Sequence, residues 1–334
     1  MARRGMREEA LYSRAPAGPT PGMSNDEWKR GAAPIALVTG GNAGIGFETC
    51  RGLLDAGFHV VVGARSREKA DAAIASLLRD SPDGSTAEPL VLDLASLESV
   101  GDAASALLAT KRTLHVCVLN AGVMALPWAR TDDGFEQQWQ VNALGHFLFC
   151  RLLLPAITAA EQPLGRIVHV ASGAHRLHPQ AVDYALLTSE HESAEGFDQW
   201  RAYGRSKLAN ILLSNELARR LETAGSTVTS NALHPGNVKT DLWSKIGREN
   251  DSGIPVQEGA LTSIYLATSQ EEAGRSGGYY FLCKPVTAIF DKEKYADADY
   301  ITKSATRTEI STSVEAGRAM WNVASRDVGL GADL

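Results

Sequence analysis

Tyr203 and Lys207 stand four residues apart in the run Tyr-Gly-Arg-Ser-Lys. On a helix, that spacing puts both side-chain heads on one face. A phenol titrates near pH ~10 in water, too high for proton exchange at neutral pH. A neighbouring ammonium favours the phenolate and should draw that value toward the working range. The pair therefore suits a general acid or base serving an alcohol or carbonyl oxygen, provided that another group carries hydride.

The means of holding such a carrier lies nearer the start of the chain. Ile35-Ala-Leu-Val-Thr39 is a short apolar run that reads as a buried parallel strand. It leads directly into Gly40-Gly41-Asn42-Ala43-Gly44-Ile45-Gly46 and then into a helical pattern. Strand, glycine loop and helix form the context that a dinucleotide fingerprint requires. Gly40 permits the tight turn, Gly44 lets backbone approach a pyrophosphate, and Gly46 lets the helix pack closely, while Asn42 and Ile45 complete the loop. The helix N-terminus then offers unpaired N–H groups to the phosphates. The next strand ends at Ala64, where an NAD-binding fold carries an acidic residue for the ribose 2′-hydroxyl. Arg65 follows, and its fixed charge suits a 2′-phosphate, with Arg67 as a possible helper. The cofactor expected is NADP(H) in preference to NAD(H).

The elements that position these residues alternate between strand and helix. Strands are expected near 35–39, 59–63, 88–92, 114–119, 166–171, 227–233 and 279–282. Helices are expected near 44–56, 67–79, 96–109, 134–159, 202–223 and 257–268, with a final one over about 311–327. That order predicts an α/β fold, a Rossmann-type doubly wound parallel sheet of about seven strands with helices on both faces. Residues 1–33 read as a disordered extension and 34–334 as one domain ending in a helical tail.

With these motifs in place, the chain resembles the short-chain dehydrogenase/reductase family, and further stations follow in that family's order. Asp93-Leu94 matches the position that contacts the adenine. Asn120-Ala121-Gly122 matches the turn that stabilises the central sheet. Asn142 matches the helix asparagine that helps hold a proton-relay water, and Ser172 the serine that orients the substrate oxygen. His234-Pro-Gly-Asn-Val-Lys-Thr240 matches the segment beside the nicotinamide, implicating Pro235, Gly236, Val238 and Thr240. The resemblance implies a catalytic set of Asn142, Ser172, Tyr203 and Lys207. It extends to the retinol-dehydrogenase-like branch, which includes the oxidoreductase domain of WW-domain-containing oxidoreductase, through Thr131-Asp-Asp-Gly-Phe-Glu, Leu144-Gly-His-Phe and Asn231-Ala-Leu-His-Pro-Gly-Asn. That branch implies a lipophilic alcohol, aldehyde or ketone as substrate, and a homodimer or tetramer. Two departures stand out: Ala171 replaces the first serine of the common pair, and His169 replaces an asparagine on the same strand.

A net charge of −6 argues against a nucleic-acid partner, and a hydrophobic content of 44% suffices for a large core. Cys50, Cys117, Cys150 and Cys283 are scattered, which suits a reduced, cytoplasmic chain, and no metal-ligand spacing is present. No transmembrane segment is expected, since Phe147 to Ile157 is short and Arg151 interrupts it. Arg3, Arg4, Arg7 and Arg14 leave organelle import open, against Glu8, Glu9, Asp26 and Glu27. Two insertions should shape the substrate pocket: 176–200, with Tyr184, Phe197 and Trp200, and 242–254, with Trp243 and Ile246. The competing readings are a dinucleotide-binding redox sensor or scaffold, which has no need of the phenol, and a sugar-nucleotide epimerase, whose glycine spacing differs.

Overall fold

The computed structural model describes residues 33–160, 165–177 and 195–334. The extension at 1–32, with its arginines, and Tyr184 lie outside the described residues.

Eight strands form one sheet in the order β3-β2-β1-β4-β5-β6-β7-β8. They are β1 (Ile35–Thr39), β2 (His59–Ala64), β3 (Ala87–Val91), β4 (Val116–Leu119), β5 (Arg166–Val170), β6 (Thr229–His234), β7 (Tyr279–Phe281) and β8 (Lys284–Pro285). The first seven run parallel. The expectation of about seven strands needs one addition, because β8 pairs antiparallel with β7 as a two-residue edge. The winding reverses between β1 and β4, and at such a switch point an open α/β sheet leaves its ligand crevice.

Central strands are buried on both faces, which is why they are continuously apolar rather than alternating. Leu37, Val61, Cys117, Leu119 and Ile167 enter one apolar layer. Ala36, Val38, Val60, Val62, Val116, Val118 and Val168 enter the other. The first layer is closed by α3 (Leu97–Ala109), α4 (Gln137–Thr158), α5 (Gln199–Thr223) and α9 (Val314–Asp327). The second is closed by α1 (Gly44–Asp55), α2 (Arg67–Arg79) and α7 (Val256–Thr268). Short helices α6 (Asp241–Ser244) and α8 (Tyr300–Ser304) lie at the carboxyl edge and were not expected from the pattern.

Helix α5 begins at Gln199, three residues before the expected start. Asp198 caps it by accepting the N–H groups of Trp200 and Arg201. Helix α4 is long and apolar enough by composition to cross a membrane, yet 67% of that stretch is buried inside the fold. Near its start, Gln140–Leu144 is π-helical: the Gly145 N–H reaches back to the Gln140 carbonyl. All four cysteines are buried and unpaired, in α1, β4, α4 and after β7. Burial pushes each thiol up from its ordinary range.

Trp321 of α9 is the largest fully buried side chain. It meets Phe147 edge-on at 4.9 Å between centroids, and its indole N–H donates to the Ala332 carbonyl at 2.7 Å. The guanidinium groups of Arg151 and Arg220 lie 5.0 and 4.6 Å from its ring. Trp321→Ala is expected to lower unfolding free energy by about 3–5 kcal/mol, measured by denaturant titration, from lost burial and the cavity left behind.

Candidate active site

The glycine loop leaves β1 with Gly40 at φ +64° and Gly44 at φ +55°, conformations that side chains disfavour. A Cβ at Gly46 would lie 2.2 Å from the Gly40 carbonyl oxygen and 2.5 Å from Asn120 Nδ2. Gly46 therefore lets α1 pack on the loop itself. A Cβ at Gly44 would meet only Thr240 Cγ2, at 3.7 Å, so the loop faces open space there. Ala43, the N-cap of α1, offers its N–H groups no side chain, and no acidic residue occupies the first turn. An uncapped helix end behind an open glycine loop fits a pyrophosphate.

One hydroxyl joins this loop to the rest of the site. Thr39 Oγ1 accepts the N–H groups of Asn120 (2.9 Å) and Ala121 (3.0 Å), and Asn120 Nδ2 donates to the Thr39 carbonyl at 2.9 Å. Thr39 Oγ1 also bonds His146 Nε2 at 2.8 Å, and His146 Nδ1 lies 3.1 Å from the Asn142 carbonyl. The network assigns the ring proton to Nδ1, leaving Nε2 to accept from Thr39. Burial pulls His146 down to about 4, so it stays neutral. Asn142, in the π-helical turn, pairs with Val123: its Oδ1 accepts the Val123 N–H (2.8 Å) and its Nδ2 donates to the Val123 carbonyl (2.9 Å). The same Nδ2 donates to Ser206 Oγ at 2.9 Å. Between them sits Gly122, where a Cβ would come 3.1 Å from Asn142 Oδ1 and 3.5 Å from Lys207 Nζ. The Asn142 side chain thus positions the Gly122–Val123 backbone and also holds Ser206.

Ser172 follows β5. Its Oγ accepts the Ala174 N–H at 3.1 Å, and its carbonyl accepts from His175 Nδ1 at 2.7 Å. His175 is itself held by the Thr308 N–H (3.3 Å to Nε2). Tyr203, on α5, lies near enough to Ser172 for the serine side chain to lower the phenol's pKa, and both residues line one cavity. Lys207 Nζ, 5.9 Å from the Tyr203 ring centre, donates to the Val170 carbonyl at 2.9 Å. Burial draws the ammonium down to about 8. The expectation that lysine would draw the phenol into the neutral range is corrected here. Burial pushes Tyr203 up to about 12, against the lowering effect of the Ser172 side chain. The phenol is therefore protonated at neutral pH and poised to donate.

These groups open into a cavity of about 1150 Å³. Ile45, Pro235, Gly236, Val238 and Thr240 line its glycine-loop side. Met124, Trp200, Leu242 and Trp243 form an apolar wall around Tyr203, with Ile246 packed behind. Trp200 and Trp243 stand 6.1 Å apart, and the Trp243 indole donates to the Val238 carbonyl at 3.2 Å. Phe197 packs on Trp128 at 5.2 Å. His234 orders its loop, with Nε2 2.9 Å from the Tyr300 hydroxyl and Nδ1 accepting the Gly236 N–H at 3.4 Å. Arg176, Ile289–Lys292, Tyr300 and Glu309 also line the cavity. Arg176 opens the 176–200 insertion, whereas no motif marked 289–292, Tyr300 or Glu309, which come from segments distant in sequence.

The other end of the crevice is sparser. Arg65 is exposed at the carboxyl end of β2, whereas Arg67 is held by Asp71 at 2.9 Å along α2. Asp93 Oδ1 accepts the Ala95 N–H at 3.0 Å. The Leu94 side chain enters the core. Among the described residues no cluster of potential metal ligands occurs.

Comparison with known proteins agrees with this geometry. A family model described as short chain dehydrogenase matches residues 34–185. Mouse retinol dehydrogenase 14 is 40% identical over 274 residues, covering 74% of this chain and 77% of the relative. Human WW domain-containing oxidoreductase is 38% identical over 262 residues, covering 75% of this chain; the chain spans 61% of that relative's length. A solved Pseudomonas aeruginosa RhlG/NADP active-site complex is 28% identical, with a TM-score of 0.55, covering 74% of this chain and 94% of that one.

Gly46→Ala is expected to destabilise the fold by about 1–3 kcal/mol through overpacking against Gly40 and Asn120. It should also weaken dinucleotide binding, with thermal melting and calorimetric titration as the two measurements.

Proposed function

Since the chain belongs to the short-chain dehydrogenase/reductase family, in its retinol-dehydrogenase-like branch, we propose that it interconverts a lipophilic alcohol and its aldehyde or ketone with NADP(H). The observation that carries this reading is that Ser172 and Tyr203 line one cavity, which the glycine loop also borders through Ile45. The open face at Gly44 and the uncapped start of α1 fit the pyrophosphate, and Arg65 fits a 2′-phosphate. Ala64, 3% exposed, stands where a carboxylate would accept ribose hydroxyls. The RhlG relative's complex with NADP lends support. Bound NADPH supplies the hydride.

The chain's own residues handle the proton. The substrate oxygen accepts hydrogen bonds from Ser172 and Tyr203, and Tyr203 gives its proton as charge develops there. A buried phenol raised to about 12 holds that proton firmly until an alkoxide forms beside it. Lys207, buried behind and anchored on the Val170 carbonyl, supplies positive potential where the phenol becomes anionic. Asn142 keeps the Gly122–Val123 backbone in place against this cluster. The apolar wall of Met124, Trp200, Leu242 and Trp243 excludes water and accepts a lipophilic substrate. Retinol, in the name of the mouse relative, is of that kind.

Tyr203→Phe should retain NADPH binding and lose carbonyl-dependent NADPH oxidation by roughly 100- to 10,000-fold. Turnover at the parent rate would sink the mechanism. Arg65→Gln should raise the KM for NADPH by roughly 10- to 100-fold and leave that for NADH nearly unchanged, as charge-assisted bonds to the 2′-phosphate are lost. Steady-state kinetics with both nucleotides separates the two.

A further inference from the structure

Arg176 is the fourth residue after Ser172, within a 3₁₀ turn (Gly173–Leu177), and it lines the same cavity. Its guanidinium lies against the backbone beside the catalytic serine: a Cβ built on Gly173 would be 3.0 and 3.2 Å from its two terminal nitrogens. The same point lies 3.0 Å from His234 Nε2. Arg176 Nη1 is buried without a hydrogen-bond partner. Its neighbours are the Phe290 ring at 5.8 Å and the phenols of Tyr279 and Tyr300. Among the described residues no carboxylate comes within ion-pair distance of it.

Arg176 is half-buried, and two buried arginines are answered differently. Arg166 Nη1 donates to the Leu266 carbonyl at 3.0 Å, and Arg307 donates to Ser311 Oγ (3.1 Å) and to its carbonyl (2.7 Å). Asp291 and Glu309 line the cavity too, but both are exposed, and Asp291 Oδ1 is occupied by the N–H groups of Glu293 and Lys294. Leaving a buried guanidinium nitrogen unanswered is costly, and burial lowers the pKa of Arg176. A planar guanidinium with free donors recognises a carboxylate in a two-pronged manner.

We infer that Arg176 is an anion-binding subsite of the reaction cavity, and that the substrate is an oxo acid or hydroxy acid with an apolar tail. Its carboxylate is held by Arg176 a few bonds from the carbon that reacts at Ser172 and Tyr203. The tail lies along Trp200, Leu242 and Trp243. In reduction, the carbonyl carbon gains a hydride from the reduced dinucleotide and the oxygen gains the Tyr203 proton. The hydroxy acid and oxidised dinucleotide result, with the carboxylate unchanged. The inference rests on the oxidoreductase reading for its chemistry, though not for its binding step.

Two measurements on the full chain test it. In the first, 4-oxodecanoate is compared with its methyl ester as carbonyl substrate. The acid should be favoured in kcat/KM by roughly 10- to 100-fold, the worth of a charge-assisted bond, and the ratio should collapse toward one in Arg176→Met. In the second, the unreactive pair decanoate and decanamide is titrated against tryptophan emission in the presence of NADP. Wild type should prefer decanoate and Arg176→Met should not, with Arg176→Lys keeping part of the preference. If Arg176→Met melts early, Arg176→Gln is read the same way. Acid and ester turned over equally, or a decanoate preference that survives in the neutral variants, overturns the inference and leaves the oxidoreductase reading intact. Failure of both carbonyls with an Arg176-dependent decanoate preference overturns the reaction and leaves the subsite standing.

Discussion

The site depends on the burial of polar atoms at the carboxyl edge of the sheet, where water cannot satisfy them. Thr39, Asn142, His146, Tyr203, Lys207 and His234 are all buried, and an unanswered donor or acceptor there costs about 1–3 kcal/mol. Their partners are therefore the scaffold. The Thr39 hydroxyl answers two backbone N–H groups of the turn after β4 and meets His146, which reaches the Asn142 carbonyl. The Asn142 amide then fixes Val123 and Ser206, one helical turn from Tyr203. A chain of neutral hydrogen bonds thus ties the glycine loop, the central turn and the helix of Tyr203 and Lys207 into one rigid frame.

Within that frame the two titrating groups are pushed in opposite senses by the same cause. Burial disfavours charge on both, so it raises the phenol and lowers the ammonium. Lys207 keeps its hold through the Val170 carbonyl, which also accepts from Asn210 at 3.3 Å. The resulting pair is a neutral acid beside a cation that is stable only until mildly alkaline pH. Such a pair favours donation of a proton to an oxygen that is becoming negative. The apolar wall above it strengthens that preference by keeping the dielectric low.

Much of this was legible in the residues, and the parts that were not share a reason. Gly40, Gly44 and Gly46 are readable because backbone conformation and close approach demand glycine locally. Tyr203 and Lys207 are readable because helix periodicity alone places them. The Thr39–His146 link joins positions 107 residues apart, and nothing near Thr39 announces it. The π-helical turn in Gln140–Leu144 has no local residue type that announces it, and Asn142 within it pairs with Val123 across the fold. The direction of the Tyr203 shift was misjudged because burial, a property of the whole fold, outweighs the charge nearby. Arg176 is an ordinary arginine in sequence, and only the folded chain shows what surrounds it.

The four cysteines carry a practical corollary. Each thiol is enclosed and held in its unreactive protonated form, two of them inside the layer that flanks α4. An alkylating reagent can reach them only when the surrounding helices part. The rate of maleimide uptake by the native chain is therefore a clock for local opening, read in one apolar layer through Cys50 and in the other through Cys117 and Cys150, without any label being engineered into it.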